Sequence, residues 1–158
     1  ENVSRENCMP QKTFETILYA TDFSESSLSA GTHARMLTEL TGAALHILHV
    51  IGELSDQRRT MIHQEFFENF EKSVEREAIK DMHDFRKAHF KGLEKVECHT
   101  LIGNPFQEIM RQAEQLGADL IVMGTHGRTG IEHVLVGSTA ERVVRNSKIP
   151  VLTVRSGD

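Results

Sequence analysis

The stretch that decides the fold reads Asp119-Leu-Ile-Val-Met-Gly124, continues as Thr-His-Gly127, and after nine residues reaches Gly137-Ser-Thr139. An apolar run that ends at a glycine predicts a buried β-strand, and the segment from Ala140 to Ser147 has a helical pattern. Glycines between a strand and a helix let backbone N–H groups approach an anion closely. The helix start adds free N–H groups and the positive end of the helix dipole. The stretch therefore predicts a phosphate-binding loop.

Two well-known phosphate-binding motifs do not match this loop. A P-loop needs a lysine before a serine or threonine after its second glycine, and the chain has none at that position. A dinucleotide fingerprint needs Gly-x-Gly-x-x-Gly near the start of the chain, and that pattern is absent. The pattern present is Gly-x-x-Gly, nine residues, Gly-Ser. The alternative interpretation is a glycine-rich turn that binds no ligand.

The spacing of these glycines resembles that of the ATP-binding branch of the universal stress protein family. The flanking segments at residues 118–130 and 136–144 resemble the family as well, and the resemblance extends from about Thr13 to Val154. It implies an α/β fold of the doubly wound, adenine-nucleotide alpha hydrolase-like type, which is Rossmann-like. In that fold five parallel strands follow the order 3-2-1-4-5, with helices on both faces.

Length and composition favour a single globular domain. The chain has 158 residues, of which 39% are hydrophobic and 26% charged, and its net charge of −5 disfavours a nucleic-acid binder. The apolar runs are too short to span a bilayer. A secretion signal would begin with basic residues followed by an apolar h-region, and this pattern is not seen. Cys8 and Cys98 lie far apart without metal-ligand spacing. We therefore expect a cytoplasmic protein that binds neither membranes nor nucleic acid.

The order of the predicted elements agrees with that fold. Residues 1–12 are polar and aperiodic, which predicts a loose N-terminal extension before one domain at residues 13–155. Within the domain, apolar strands alternate with helical patterns, and this alternation implies a parallel sheet covered on both faces. The helix with apolar residues at Leu28, Ala30, Ala34, Leu37 and Leu40 is expected to end at Gly42. The long apolar stripe of the next helix comprises Phe67, Phe70, Val74, Ala78, Met82 and Phe85. The predicted strands are residues 14–20, 44–51, 96–102, 119–124 and 150–154.

A parallel sheet of this kind binds its ligand at the carboxyl ends of its strands, where the strand order reverses. Here that point lies between the first and fourth strands, so the segment Ala20-Thr-Asp22 is expected to meet Gly124. The resemblance implies that Asp22 accepts hydrogen bonds from the ribose or the adenine amine. The alternative role of Asp22 is to cap the next helix.

The resemblance implies the remaining nucleotide contacts. Val50 is expected to meet the adenine edge through its backbone, and Met123 and Gly124 to flank the ribose. Gly137 is expected to tolerate substitution least, because a side chain there would enter the ligand or block the backbone geometry. The predicted nucleotide-binding residues are Ala20, Thr21, Asp22, Val50, Met123, Gly124, His126, Gly127, Arg128, Gly137, Ser138 and Thr139.

The sequence offers no metal or catalytic motif. Nine histidines are scattered without His-x-x-x-His or a cysteine cluster, so no dedicated protein metal site is expected. Mg²⁺ or Mn²⁺ can still reach the site on the phosphates of a nucleotide. His126 and His133 are interpreted as loop residues, and Glu132 as a solvated charge rather than a base.

Three functions remain open at this point. The first is an ATP-binding regulatory protein of the stress-response type with little turnover. The second is a slow ATPase or adenylate-transferring enzyme, although no clear base or Mg²⁺-holding acid is present. The third is an RNA-binding protein, since Gly-x-x-Gly also occurs in KH domains. The strand before Gly124, the second glycine pair and the acidic net charge all disfavour RNA binding.

The last strand predicts self-association. Val151-Leu-Thr-Val154 is a short apolar segment at the edge of the expected sheet, and an unpaired edge invites another strand. The resemblance implies that this strand pairs antiparallel with the same strand of a second copy. We therefore expect a homodimer through the C-terminal strand.

Overall fold

The computed structural model describes residues 13–52, 64–126 and 137–156. In this part of the chain strands and helices alternate, and each corresponds to a predicted segment with small differences at its ends. The elements are β1 (Thr16–Ala20), α1 (Glu25–Thr41), β2 (Ala44–Gly52), α2 (Gln64–His89), β3 (Val96–Gly103), α3 (Pro105–Gln115), β4 (Leu120–Gly124), α4 (Ser138–Asn146) and β5 (Val151–Val154).

The strands form one parallel sheet in the order β3-β2-β1-β4-β5, which confirms the predicted fold. In the central pairings, Ile17 of β1 lies opposite Leu45 of β2 and Leu120 of β4. The order reverses between β1 and β4, so the carboxyl ends of these two strands border a crevice. β5 lies at one edge of the sheet, and its pairing with a second copy stays a prediction. None of the described helices is long and apolar enough to cross a membrane.

Side chains that alternate along the strands pack into two separate hydrophobic cores, one on each face of the sheet. Ile17 and Tyr19 of β1 face the core under α1 and α2, whereas Leu18 and Ala20 face the core under α3 and α4. Ile17, Leu18 and Tyr19 are fully buried. Burying a side chain of this size stabilises the fold by about 1.5–3 kcal/mol relative to leaving it exposed. The sheet is therefore a rigid platform for the loops at its carboxyl edge.

Local capping sets both ends of α1, and the C-terminal end at Gly42 is the predicted one. Ser24 is the N-cap, and its Oγ accepts a hydrogen bond from the backbone N–H of Ser27 at 3.3 Å. Gly42 ends the helix in the left-handed conformation with φ of 71°, and its N–H donates to the carbonyl of Thr38 at 2.9 Å. The start of α1 is therefore fixed close to the carboxyl end of β1.

Two residues of the predicted apolar stripes lie outside the buried faces. Leu40 of α1 is 76% exposed and Phe70 of α2 is 54% exposed. In α1 the buried line runs through Ala30, Ala34 and Thr38, at four-residue spacing. Thr38 can occupy this line because its hydroxyl donates to the carbonyl of Ala34 at 2.8 Å. The prediction for Leu40 is wrong because Leu40 lies about 200° around the helix from Thr38 and so points away from the sheet.

Tyr19 links β1 to the start of α1. Its hydroxyl donates to the carbonyl oxygen of Ser27 at 2.6 Å, and its ring lies 5.8 Å from the ring of Phe90 between centroids. Burial raises the pKa of Tyr19 to about 12, because the phenolate would lose its hydration. The native state therefore favours the neutral phenol.

We expect the stabilising contribution of Tyr19 to disappear at alkaline pH. The folded pKa is raised above the unfolded value of 10, so the contribution is complete below pH 10 and is lost as the pH rises through 12. Tyr19→Phe should lower the free energy of unfolding by about 1 kcal/mol at neutral pH, and this difference should shrink above pH 10. Urea unfolding of both proteins at several pH values measures it. The chain has one tyrosine, so a phenolate absorbance midpoint near 10 in the folded protein would contradict the expectation.

Candidate functional site

A cavity of about 810 Å³ opens at the carboxyl ends of β1, β2 and β4, where the strand order reverses. This volume lies within the usual range of small-molecule pockets. Every predicted site residue in the described part of the chain lines it, namely Ala20, Thr21, Asp22, Val50, Met123, Gly124, His126, Gly137, Ser138 and Thr139. Gly127 and Arg128 lie outside the described residues, as do Glu132 and His133.

The loop after β1 is held in one conformation by short hydrogen bonds. The N–H of Thr21 donates to the carbonyl of Leu48 on β2 at 2.9 Å. The hydroxyl oxygen of Thr21 lies 3.0 Å from the hydroxyl oxygen of Ser27. Asp22 Oδ1 accepts from the N–H of Ser24 at 3.1 Å and from its hydroxyl at 2.6 Å. Ser24, and not Asp22, is thus the N-cap of α1. Asp22 lines the cavity and also orients this cap.

Phe23 and His49 line the cavity although the sequence analysis did not select them. Phe23 has φ of 64°, which is unusual for an aromatic residue, and its ring centroid lies 4.5 Å from that of His49. His49 is buried, and its Nδ1 lies 2.8 Å from the carbonyl oxygen of Thr21. Since a carbonyl only accepts, Nδ1 carries the proton in this contact. The sequence signal that could have identified His49 as a site residue is its polar side chain near the carboxyl end of an apolar strand.

The start of α4 forms another wall of the cavity. Gly137 is its N-cap, and no side chain caps it among the described residues, which leaves the first N–H groups of the helix without a side-chain partner there. Residues 137–140 line the cavity, so the positive end of the helix dipole borders it. Gly137 has φ of −66° and ψ of 155°, which any residue can adopt. The expectation that the backbone geometry requires glycine at position 137 is therefore wrong. The remaining reason for a glycine here is that it places no side chain in the cavity.

Backbone hydrogen bonds of Thr125, which follows β4, connect this end of the sheet to β5 and to the start of α4. Its N–H donates to the carbonyl of Val154 on β5 at 2.9 Å. Its carbonyl accepts from the N–H of Gly137 at 2.6 Å. Thr125 is buried, so these hydrogen bonds are shielded from water. The position of Gly137 relative to the sheet is thus set by a direct backbone contact.

Gly124 has a packing role that the glycine pattern does not reveal. A Cβ at this position would lie 2.7 Å from Oγ of Ser26 and 2.8 Å from its backbone carbonyl carbon. Ser26 belongs to the first turn of α1 and is buried, and its Oγ also accepts from the N–H of His126 at 3.3 Å. The missing side chain of Gly124 therefore lets α1 approach the end of β4. Its contact with a ribose stays a prediction.

The lining of the cavity is electrostatically uneven. Asp22 and two carboxylates of α2, Glu77 and Asp81, line it from the side of β1, β2 and α2. The start of α4 follows β4, on the other side of the crevice, and contributes the hydroxyls of Ser138 and Thr139. A negative group is therefore favoured at the α4 end and disfavoured near the carboxylates. No local pattern in the sequence indicates Glu77 and Asp81, because only the packing of α2 brings them to this site.

Known proteins of similar sequence and fold identify the family of this chain. A sequence model described as the universal stress protein family matches residues 13–155. Universal stress protein MJ0577 of Methanocaldococcus jannaschii is 32% identical over 154 residues, which cover 90% of this chain and 95% of that protein. Universal stress protein G of Escherichia coli O157:H7 is 32% identical over 148 residues, with 90% of this chain and 99% of that protein covered.

Solved structures agree with the sequence matches. The structure of MJ0577 superposes with a TM-score of 0.82 at 33% identity and covers 93% of this chain and 99% of its own. A universal stress protein in complex with cAMP superposes with a TM-score of 0.61 at 27% identity, covering 92% of this chain and 100% of its own. Sequence and structure thus agree over almost the whole described chain, and the protein belongs to the universal stress protein family.

Proposed function

We propose that this protein binds ATP in the cavity at the carboxyl ends of β1 and β4 and acts as a nucleotide-dependent regulator in a stress response. The observation that carries the proposal is the uneven cavity, with the start of α4 on one side and carboxylates on the other. A family member solved in complex with cAMP supports an adenine nucleotide as the class of ligand. ATP also fits a volume of about 810 Å³.

The charge distribution orients the ligand in this proposal. The phosphates lie at the start of α4, where backbone N–H groups, the helix dipole and the hydroxyls of Ser138 and Thr139 favour negative charge. The adenosine lies toward Asp22 and Val50, because a carboxylate accepts hydrogen bonds from ribose hydroxyls or an amine. The opposite orientation would place the phosphates beside Asp22, Glu77 and Asp81, which repel them.

Within the described part of the chain, the groups around the phosphate end support a regulatory role with little turnover. Hydrolysis needs a base within hydrogen-bond distance of the attacking water. Among the described residues, His126 is the imidazole nearest the start of α4 in sequence, and its Nδ1 lies 2.9 Å from the hydroxyl of Thr125. We assign no catalytic residue. Any Mg²⁺ or Mn²⁺ arrives with the phosphates and completes its coordination with water.

Two substitutions separate the ends of the ligand. Ser138→Ala removes a hydroxyl donor to a charged acceptor, worth roughly 1.5–3 kcal/mol, so ATP affinity should fall about tenfold or more while adenosine affinity stays unchanged. Asp22→Asn keeps an oxygen that accepts from Ser24 but removes the negative charge. It should therefore weaken ATP and adenosine by similar factors. Calorimetric titration of each variant with both ligands measures these changes.

The control for the hydroxyl deletion is Ser29→Ala on α1. Ser29 does not line the cavity, and its hydroxyl donates to the carbonyl of Glu25 within the helix, so both affinities should match the parent. If Ser138→Ala weakens adenosine as much as ATP, the proposed orientation is wrong. If the parent binds neither ligand, the proposed function is wrong.

A further inference from the structure

A second polar cluster lies on the sheet face that α3 and α4 cover, near the amino-terminal ends of β2 and β3. It comprises His46 of β2 with Glu97 and His99 of β3. His46 pairs directly with Glu97 in the β2–β3 ladder, and His99 lies two residues further along β3. Residues two apart in a strand point to the same face, so the ladder brings all three side chains together. The cluster is therefore built by the sheet and not by a loop.

The distances within the cluster match those of a coordination site. His46 Nδ1 lies 3.0 Å from His99 Nε2 and 3.6 Å from Glu97 Oε2, and the three ligand atoms lie within 4.8 Å of one another. A tetrahedral ion with bonds of 2.0–2.2 Å holds its ligand atoms about 3.4 Å apart. The two separations from His46 Nδ1 are thus within about 0.4 Å of this value, and the widest separation in the cluster must close by up to about 1.4 Å to surround one ion.

We propose that His46, Glu97 and His99 form a binding site for Zn²⁺ or a similar borderline divalent ion. Two imidazoles and one carboxylate suit such an ion, whereas Mg²⁺ and Ca²⁺ prefer oxygen ligands alone. The side chain of His46 is only 11% exposed, while that of Glu97 is 71% exposed. The ion therefore enters from the side of Glu97 and β3, and water occupies the fourth position.

The contact between His46 and His99 in the metal-free protein is compatible with metal binding by both residues. The two imidazole nitrogens at 3.0 Å share one hydrogen bond, so one ring donates and the other accepts. A metal ion needs a lone pair from both nitrogens. The donating ring supplies its lone pair by moving its proton to its other nitrogen, so both facing nitrogens can bind the ion. Zinc thus replaces the hydrogen bond between the rings.

The site is separate from the proposed nucleotide site. His46 lies four residues before Val50 on β2, which is about 13 Å along the strand. An ion at the cluster is therefore remote from phosphates at the start of α4. It connects the edge strand β3 to β2, and because the unfolded chain lacks the site, binding stabilises the fold. A protein metal site was not expected from the sequence, because its histidines form no His-x-x-x-His pattern and no cysteine cluster accompanies them.

Zinc titration of the nucleotide-free protein tests the proposal. We expect calorimetry with ZnCl₂ to show binding to the parent, and Zn²⁺ but not Mg²⁺ to raise its Tm. His99→Gln and Glu97→Gln should each lower zinc affinity by at least about tenfold and reduce the shift in Tm. His46 is buried and is therefore left unchanged. The variants at His99 and Glu97 avoid the core and should keep the far-UV circular dichroism of the parent.

The matched control is His83→Gln on α2. His83 is exposed, and its Nδ1 lies 3.5 Å from a carboxylate oxygen of Asp84, so it offers a histidine–carboxylate pair without a second imidazole. This variant should bind zinc as the parent does. A parent whose Tm does not respond to zinc would overturn the proposal. So would a His99→Gln protein with unchanged zinc affinity.

Discussion

Replacing Gly137 with valine is expected to abolish ATP binding while leaving the fold in place. Gly137 is the N-cap of α4 and lines the cavity, so a branched side chain there occupies the space in which phosphate oxygens meet the helix N–H groups. Its φ of −66° and ψ of 155° suit valine, so the backbone does not need to change. Valine is a poorer N-cap than glycine, and this should reduce the free energy of unfolding by about 1 kcal/mol.

Calorimetry with ATP and urea unfolding on the same preparation check both halves of this expectation. Ser147→Val is the control, since Ser147 flanks the other end of α4 with similar backbone angles, φ of −74° and ψ of 134°. This variant loses hydrogen bonds of Ser147 Oγ with Ile149 but lies away from the cavity lining, so ATP affinity should stay at the parent value. Parent-like ATP affinity in Gly137→Val would show that α4 does not hold the phosphates.

Gly124→Ala is expected to cause the largest loss of stability among single-methyl additions. The new Cβ would lie 2.7–2.9 Å from three atoms of Ser26, and two of these atoms belong to the backbone of α1. Backbone atoms cannot rotate away, so β4 and the start of α1 must separate. Overpacking of this kind costs about 3 kcal/mol. Urea unfolding should therefore show a clearly lower midpoint than the parent.

Gly52→Ala is the matched control for this methyl addition. Gly52 ends β2 and also lines the cavity, but a Cβ there would meet nothing within 4 Å. Its free energy of unfolding should stay within about 0.5 kcal/mol of the parent value. Equal midpoints for Gly124→Ala and Gly52→Ala would mean that Gly124 does not bring α1 and β4 together.

The sequence predicts the fold well because its strands are short apolar runs separated by amphipathic helices. Gly42 is a clear helix end in the sequence, whereas the N-cap is settled only in the structure, where Ser24 takes this position. The strand order was implied by the family resemblance and is confirmed. Leu40 shows the limit of such patterns, because it lies about 200° around the helix from the buried Thr38, and the apolar character of a residue does not by itself place it on the buried face.

Parts of the candidate site depend on contacts that no local pattern encodes. His49 meets Thr21 only after β2 is aligned with β1, and Asp81 reaches the cavity only after α2 packs on the sheet. The cluster of His46 and His99 likewise depends on the register of β2 and β3. Residues separated by tens of positions come together through the register of parallel strands, which the periodicity of one strand does not determine.

If a second copy pairs with β5 and a ligand binds at the start of α4, as predicted, the backbone of Thr125 couples the two events. Its N–H holds Val154 on the edge strand, and its carbonyl holds the N–H of Gly137 at the mouth of α4. A second chain that displaces β5 while these bonds stay intact also displaces the α4 mouth. Thermodynamic reciprocity then requires that a molecule bound at that mouth changes the association constant of the two chains by the same factor.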